Sequence, residues 1–323
     1  MRIASLLPSA TEIVCALGSR AELVGRSHEC DFPAGIEDVP VLTSARIEPL
    51  PSSSAIDRAV REILRDALAI YQIDVERLRE ARPDAIVTQD LCNVCAVSLD
   101  DVRAAVARLA QHDVAIVDLH PTQLDDIWDD VLRVAKAIGR AEVGRQVAAD
   151  LRARVADIAR RAAGLRGKPR VLTIEWIDPV MIGGMWMPEL VTLAGGEPLV
   201  TRPGEHAPTV QHDRLAALDP DVVVVKPCGF GLRRTLEELD ALREALPPSW
   251  RARIYLADGN AYFNRPGPRI VESLEIMAAC VHPEAFEDFA EKHAASVHPW
   301  NGNPRGMADS KDSGGLLRPL ERP

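Results

Sequence analysis

The sequence has few aromatic residues, no long apolar run and no excess of basic charge. Only thirteen of its 323 residues are aromatic, namely five Trp, five Phe and three Tyr. No stretch approaches the 18 or more apolar residues of a membrane span, so the chain is not expected to cross a membrane. The formal net charge is −10 and no Lys or Arg block stands out, which disfavours a nucleic-acid partner.

Enzyme signatures are also scarce. No Gly-x-Gly-x-x-Gly, Walker loop or His-Glu-x-x-His motif occurs, and Pro8-Ser9-Ala10-Thr11 stands where a phosphate-binding loop would follow the first strand. We therefore expect a binding protein rather than an enzyme.

The N-terminal segment is predicted to be a strand followed by a helix. Pro8 ends the apolar run Ile3 to Leu7 too early for a signal peptide, and Ser9 with Glu12 resembles a capping box that would open the helix. With no signal peptide in the sequence as given, we expect a cytoplasmic protein. The expectation becomes periplasmic if the true start lies upstream.

Six cysteines fall into two groups. Cys15 and Cys280 lie on apolar helix faces, which is typical of buried, inert thiols. The other four stand in polar or turn contexts: Cys30, Cys92, Cys95 and Cys228. Four thiols that converge would suit zinc or an iron–sulfur cluster, whereas the alternative is four unligated thiols lining a cleft, and a disulfide is a third possibility.

A weak internal repeat predicts two similar α/β lobes. Pro83-Asp84 and Pro220-Asp221 each follow a short helix and precede a buried strand that runs on to a cysteine. Apolar runs such as Val222 to Val225 are typical of parallel strands covered on both faces. We expect an N-terminal lobe over 1–120, a helical segment over 121–166 that bridges the lobes, a C-terminal lobe over 167–295 and a disordered tail over 296–323. The acidic residues Asp125 to Asp130 are expected to be a solvated helix face.

Candidate binding residues follow the predicted strands, because ligands of parallel α/β sheets bind beyond the carboxyl ends of the strands. These segments hold six of the thirteen aromatics, which predicts an aromatic-lined cleft between the lobes for a large, ring-rich ligand. The candidates are His28, Glu29, Asp31, Asp90, Trp176, Trp186, Phe230, Tyr262, Phe263 and Arg265.

Several of these candidates have a structural alternative. His28 is either a metal or axial ligand or a turn histidine held by Asp31. Arg265 either clamps a carboxamide or phosphate of the ligand or pairs with an acid such as Asp258. Trp176 and Trp186 either stack on the ligand or pack in the core.

These residues carry a resemblance to a known family. Arg2 to Gly18, Arg82 to Val87 and Asn264 to Arg269 are similar to the substrate-binding proteins that deliver vitamin B12 and iron-siderophores to ABC importers. Ser27 to Asp31 and Leu91 to Ala96 are more specific, and resemble the BtuF-like cobalamin-binding subgroup. The similarity spans about residues 1–290.

The resemblance implies a class III periplasmic-binding-protein fold, with two Rossmann-like lobes joined by a rigid helix and the ligand held between them. It implies a non-catalytic role in binding cobalamin, another corrinoid or a metal chelate, with the membrane subunits of an ABC importer as partner. Two alternatives remain at this point. One is an intracellular metalloprotein with zinc or an iron–sulfur cluster on the four cysteines, and the other is an intracellular corrinoid or tetrapyrrole carrier.

Overall fold

The computed structural model describes residues 1–46, 50–65, 70–89, 98–108 and 114–300. The chain forms two compact units. The first consists of Met1–Arg154 with Arg265–Ile270, and the second consists of Val155–Asn264 with the chain from Val271 onward. The boundaries at 120, 166 and 295 stay predictions, and the first unit also includes a short segment from late in the chain.

The first unit is built on a four-stranded parallel sheet in the order β2-β1-β5-β6, and a separate antiparallel pair joins β3 to β4. Its strands are β1 (Ile3–Ser5), β2 (Leu23–Arg26), β3 (Thr43–Ala45), β4 (Tyr71–Ile73), β5 (Ala85–Gln89) and β6 (Ala115–Leu119). Its helices are α1 (Pro8–Ala16), α2 (Ser53–Arg65), α3 (Val75–Ala81), α4 (Leu99–Arg108) and α5 (Leu124–Ala137), and α6 (Ala141–Ala163) begins in this unit.

Helix α1 begins without the expected capping box. Its first residue is Pro8, whose fixed φ suits a first helical turn, and the capping residue Leu7 has no side-chain hydrogen bond to offer. Ser9 and Glu12 both lie inside the helix and are buried. The prediction of a Ser9–Glu12 capping box was therefore wrong, and Glu12 has another role that is described below.

The helical segment predicted over 121–166 is two helices. Gly139, with a φ of +73°, separates α5 from α6 because this left-handed conformation suits glycine. The acidic face of α5 is only partly solvated, since Asp130 is buried to 1% exposure. Its carboxylate pairs with Arg133, and burial raises its pKa to about 7.

The second unit contains a mixed sheet in the order β12-β11-β10-β7-β8, with β9 paired to β7. Its strands are β7 (Arg170–Trp176), β8 (Met181–Ile182), β9 (Glu197–Pro198), β10 (Val222–Val225), β11 (Arg253–Ala257) and β12 (Val297–Trp300). Its helices are α7 (Met187–Leu193), α8 (His212–Ala216), α9 (Leu232–Glu237), α10 (Leu239–Ala245), α11 (Ile270–Val281) and α12 (Glu287–Lys292).

Strand β10 is the centre of this sheet. All four of its valines are fully buried, and it pairs in parallel with β7 on one side and β11 on the other. Parallel strands with both faces covered explain why this run is continuously apolar rather than alternating. The predicted α/β class with mostly parallel sheets is confirmed.

The start of the predicted disordered tail is ordered. Val297–Trp300 forms β12 and pairs antiparallel with β11, with Trp300 opposite Ile254. Trp300 packs into the hydrophobic core of the second unit, which fixes this end of the sheet. The prediction of disorder from residue 296 was therefore wrong for 296–300, and 301–323 lie outside the described residues.

Candidate ligand-binding residues

The loop after β2 holds His28 through a hydroxyl network rather than through Asp31. His28 Nδ1 lies 2.7 Å from Thr43 Oγ1, and the His28 backbone N–H donates to the same oxygen over 3.1 Å. Thr43 in turn donates its hydroxyl hydrogen to Ser27 Oγ at 3.1 Å. The ring also packs edge-on against Tyr71, with centroids 4.7 Å apart. The alternative that Asp31 holds His28 was wrong.

Glu29 lies on the other side of the same ring. Its Oε1 is 3.4 Å from His28 Nε2 and accepts a 3.3 Å hydrogen bond from the Tyr71 hydroxyl. Burial lowers the pKa of His28 below its usual 6.5, with Glu29 opposing and Arg26 assisting. The imidazole is therefore neutral at pH 7.

Asp31 is engaged by Arg265, which belongs to the first unit. The Arg265 guanidinium meets both Asp31 oxygens, with Nη2 donating to Oδ2 over 3.0 Å. Although burial acts in the opposite direction, this pairing holds the pKa of Asp31 below its usual value. Arg265 thus has the structural pairing with an acid that the sequence left open, but the acid is Asp31 rather than Asp258, whose Oδ1 accepts the Ala261 backbone N–H over 2.7 Å.

Glu12 was missed by sequence reasoning, and it anchors two arginines. Arg269 donates to both of its carboxylate oxygens over 3.0 and 2.6 Å, and Arg265 Nη1 lies 3.5 Å from Oε1. Burial raises the pKa of Glu12, while Arg269 and Arg265 oppose that shift. The Arg269 guanidinium also lies 4.0 Å from the centroid of the exposed Phe32 ring. The only sequence signal was an acid in a buried helical turn, which the capping-box interpretation had accounted for.

Trp176 and Phe230 form an aromatic pair in the second unit. Their ring centroids are 5.1 Å apart at 57°, and the Arg234 guanidinium lies 4.7 Å from the centre of the Phe230 ring. Trp176 Nε1 is buried yet has no hydrogen-bond partner in the part of the chain that the structure describes. An indole N–H left this way is a donor available to an incoming acceptor.

Trp186 and Phe263 are packed inside the second unit. Phe263 has no exposed surface, and Trp186 Nε1 donates to its carbonyl oxygen over 2.9 Å. The structure thus gives Trp186 the core-packing role that the sequence left open. Tyr262, the residue before Phe263, is more accessible and packs edge-on against His293 with ring centroids 5.8 Å apart.

A buried lysine that the sequence did not reveal links three segments near these aromatics. Lys226 has no exposed surface, and its Nζ donates to Glu175 Oε2 over 2.7 Å and to Asn264 Oδ1 over 3.2 Å. Asn264 then donates to the Gly259 carbonyl over 2.9 Å. These bonds connect the chain at the ends of β7, β10 and β11.

Two of the four candidate metal-binding thiols, those of Cys30 and Cys228, lie in the part of the chain that the structure describes. Cys30 is buried with its Sγ 3.1 Å from the Thr11 hydroxyl, and burial raises its pKa to about 11, so the thiol stays protonated. Within the described ranges, no group of three or more His, Cys, Asp or Glu side chains is arranged to hold a metal ion. Asp90, Cys92 and Cys95 lie outside those ranges, and their roles stay predictions, as does that of half-buried Cys228.

Both helical cysteines carry thiols that resist ionisation. Burial raises the pKa of Cys15 to about 11 and that of Cys280 to about 12. Cys280 is buried as expected, whereas Cys15 is only half-buried.

Among the helices that the structure describes, none is both long and apolar enough to cross a membrane.

Comparison with known proteins assigns the family. Residues 3–245 match the model of the periplasmic binding protein family. The chain belongs to this family. Among curated members, the vitamin B12-binding protein of Vibrio cholerae is 24% identical over 291 residues, which covers 85% of this chain and 86% of that protein.

Solved structures of similar binding proteins show the same fold. The periplasmic vitamin B12 binding protein BtuF of Vibrio cholerae has a TM-score of 0.57 at 21% identity, covering 90% of this chain and 98% of its own. A periplasmic heme binding protein from Pseudomonas aeruginosa has a TM-score of 0.64 at 19% identity, covering 87% of this chain and 92% of its own. This periplasmic binding protein therefore has the class III fold that the sequence predicted.

Proposed function

We propose that this protein binds cobalamin, a related corrinoid or another metal chelate, and presents it unchanged to the membrane subunits of an ABC importer. One observation carries the proposal: the curated vitamin B12-binding protein of Vibrio cholerae aligns over 85% of this chain. A protein that presents a ligand to an importer acts on the outer side of the cytoplasmic membrane, so we propose a periplasmic site of action.

The side chains proposed to contact the ligand suit a corrinoid or a similar macrocycle. Such a ligand offers a broad apolar ring with polar groups at its edge, so it requires aromatic surfaces together with a few fixed polar groups. The aromatic surfaces are Trp176, Phe230 and Tyr262. The polar groups are His28, Glu29, Asp31, Asp90 and Arg265. Trp186 and Phe263 are proposed to support the aromatic residues of the second unit rather than to contact the ligand, since the Trp186 indole donates to the Phe263 carbonyl and the Phe263 side chain has no exposed surface.

Within this set, the Trp176 indole makes the most specific prediction about a ligand contact. Because its N–H has no acceptor among the described residues, a ligand amide carbonyl that accepts this hydrogen would remove an unsatisfied buried donor. The hydrogen bond would add to the ring contact that Trp176 and Phe230 provide together.

Calorimetric titration of the purified protein with cyanocobalamin, dicyanocobinamide and hemin tests the proposal. We expect one of these compounds to bind at a one-to-one ratio, and Trp176→Phe to weaken that binding by roughly 2- to 10-fold, since the variant keeps the ring and loses one hydrogen bond. Trp128→Phe, at a buried position of α5 in the first unit, is the matched control and should leave the affinity unchanged. Failure of all three compounds to bind would contradict the proposal.

The metalloprotein alternative is not favoured. It would require Cys30 as a ligand, whereas the Cys30 Sγ is buried and lies 3.1 Å from the Thr11 hydroxyl, and the similar curated protein is named for binding vitamin B12.

A further inference from the structure

The hydrogen bonds around His28 determine which ring nitrogen carries the proton. Thr43 has one hydroxyl hydrogen, and it is directed to Ser27 Oγ. Thr43 Oγ1 must therefore accept at its contact with His28 Nδ1, so Nδ1 is the protonated nitrogen. In a neutral imidazole this leaves the lone pair on Nε2.

Nothing in the described residues uses that lone pair. Nε2 is shielded from solvent and makes no hydrogen bond there, although Glu29 Oε1 lies 3.4 Å away. Two acceptors that face each other without a shared hydrogen gain nothing from the contact. A cation between them, or a metal centre that replaces the carboxylate next to the ring, would satisfy the nitrogen. The Glu29 side chain is 38% exposed, so it has room to move aside.

The hydrogen bonds around His28 are those that usually support a metal-ligating histidine. A ligating histidine ordinarily donates its second N–H to a fixed acceptor, which sets the tautomer and aims the ring. Thr43 supplies this acceptor, Ser27 fixes Thr43, and the edge of Tyr71 limits rotation of the ring. The compounds named for the similar proteins are vitamin B12 and heme, and each contains a metal ion.

We infer that His28 coordinates, through Nε2, the metal of the bound chelate at an exchangeable axial position, with Thr43 as the positioning residue. This inference rests on the proposed function and narrows it to chelates whose axial ligand can leave. In aquacobalamin the water would depart as the Co–O bond breaks and the Co–N bond forms, and no electron is transferred. Cyanide on the same cobalt would block the exchange.

Visible absorption spectra during titration test the inference separately from binding. We expect the wild-type protein to shift the bands of aquacobalamin, or the Soret band of hemin, and to leave those of cyanocobalamin in place. His28→Gln should abolish the shift. His212→Gln, an exposed histidine in the second unit, is the matched control and should retain it.

Substitution of Thr43 tests the same inference while leaving His28 unchanged. Thr43→Val should weaken the affinity for the compound whose bands shift by roughly 10- to 100-fold, as is common for residues that orient a metal ligand. Thr43→Ser, which keeps the hydroxyl group, should retain the wild-type affinity. The inference would be overturned if aquacobalamin and hemin bound without a shift of their absorption bands, or if the shift survived His28→Gln. Either result would leave the proposed function intact. A wild-type protein that binds neither aquacobalamin nor hemin would overturn both.

Discussion

At the scale of single residues, the charges that matter most are the buried ones. Glu12, Asp130 and Lys226 are each at most 3% exposed, and each has a charged partner. Glu12 and Lys226 stand next to apolar runs, but that pattern alone does not identify their partners or the depth of their burial. Burial of a charge depends on which segments pack over it, so a local pattern could not reveal these three.

Asp130 should make the stability of the protein dependent on pH. Its carboxylate faces Arg133, Asp126, Asp118 and the His120 backbone, and burial raises its pKa from 3.8 to about 7. The folded state then binds the proton more tightly than the unfolded chain, so this group's contribution is fully present below pH 4 and is lost as the pH rises to about 7. Asp130→Asn removes that loss.

We therefore expect Asp130→Asn to raise the free energy of unfolding at pH 8 by roughly 1–3 kcal/mol relative to the wild type, with a smaller difference at pH 4. Chemical denaturation at both pH values measures it. The exposed neighbour Asp129→Asn is the control, and its curve should follow that of the wild type. Parallel stability profiles for Asp130→Asn and the wild type would show that Asp130 does not titrate as described.

At the scale of elements, the segment Arg265–Ile270 is held to α1 by charge. Removing the Glu12 carboxylate leaves Arg269 buried without its acid, while Arg265 keeps Asp31. We expect Glu12→Gln to lower the free energy of unfolding by about 3 kcal/mol, the usual scale for breaking a buried ion pair. Urea denaturation checks this, with exposed Glu37→Gln as the neutral control. Equal stability of the two variants would contradict a structural role for Glu12.

The loops after β10 and β11 touch at Gly259. A Cβ at this position would lie 2.2 Å from the Pro227 carbonyl oxygen, a backbone atom that cannot yield cheaply. Gly259→Ala should therefore lower the free energy of unfolding by about 2 kcal/mol or more and weaken ligand binding, since Lys226 and Asn264 lie in the same loops. At Gly164 the nearest atom is 3.7 Å away, so Gly164→Ala is the matched, tolerated substitution. Calorimetric unfolding and ligand titration compare the pair.

The elements also show what could be predicted from the sequence. Strands β5 and β10 were predicted because continuous apolar runs after Pro-Asp turns are typical of buried parallel strands, and both strands are buried along their whole length. The start of α1 and the strand β12 were not. In β12, Val297 and Trp300 flank His298 and Pro299, and only pairing with β11 makes that short run a strand.

Prediction of the candidate site followed the same division. The strand ends were predicted from topology: Trp176 is the last residue of β7, Phe230 follows β10, and the loop around His28 follows β2. That these residues bind a ligand stays a prediction. The partners were not predictable, because Thr43 and Tyr71 lie 15 and 43 residues beyond His28 in the chain, and contacts over such separations depend on the whole fold. Asp90, Cys92 and Cys95 stay predictions.

At the scale of the whole molecule, each unit has its own hydrophobic core. Ile86 of the first unit and Leu172 of the second are both fully buried in separate clusters. We expect Ile86→Ala or Leu172→Ala to destabilise the protein by about 2–5 kcal/mol. Hydrogen exchange followed by mass spectrometry should show the larger loss of amide protection in the unit that carries the substitution. Equal losses throughout the chain would contradict the assignment of separate cores.

The return of Arg265–Ile270 to the first unit has a consequence for dissecting the protein. No single cut of the chain yields either unit whole, because residues 1–154 lack the segment that completes them. A fragment that ends at Arg154 would retain Glu12 inside α1 without either guanidinium. Such a fragment would need the hexapeptide grafted back by a linker, and its failure to fold alone would say nothing against the architecture.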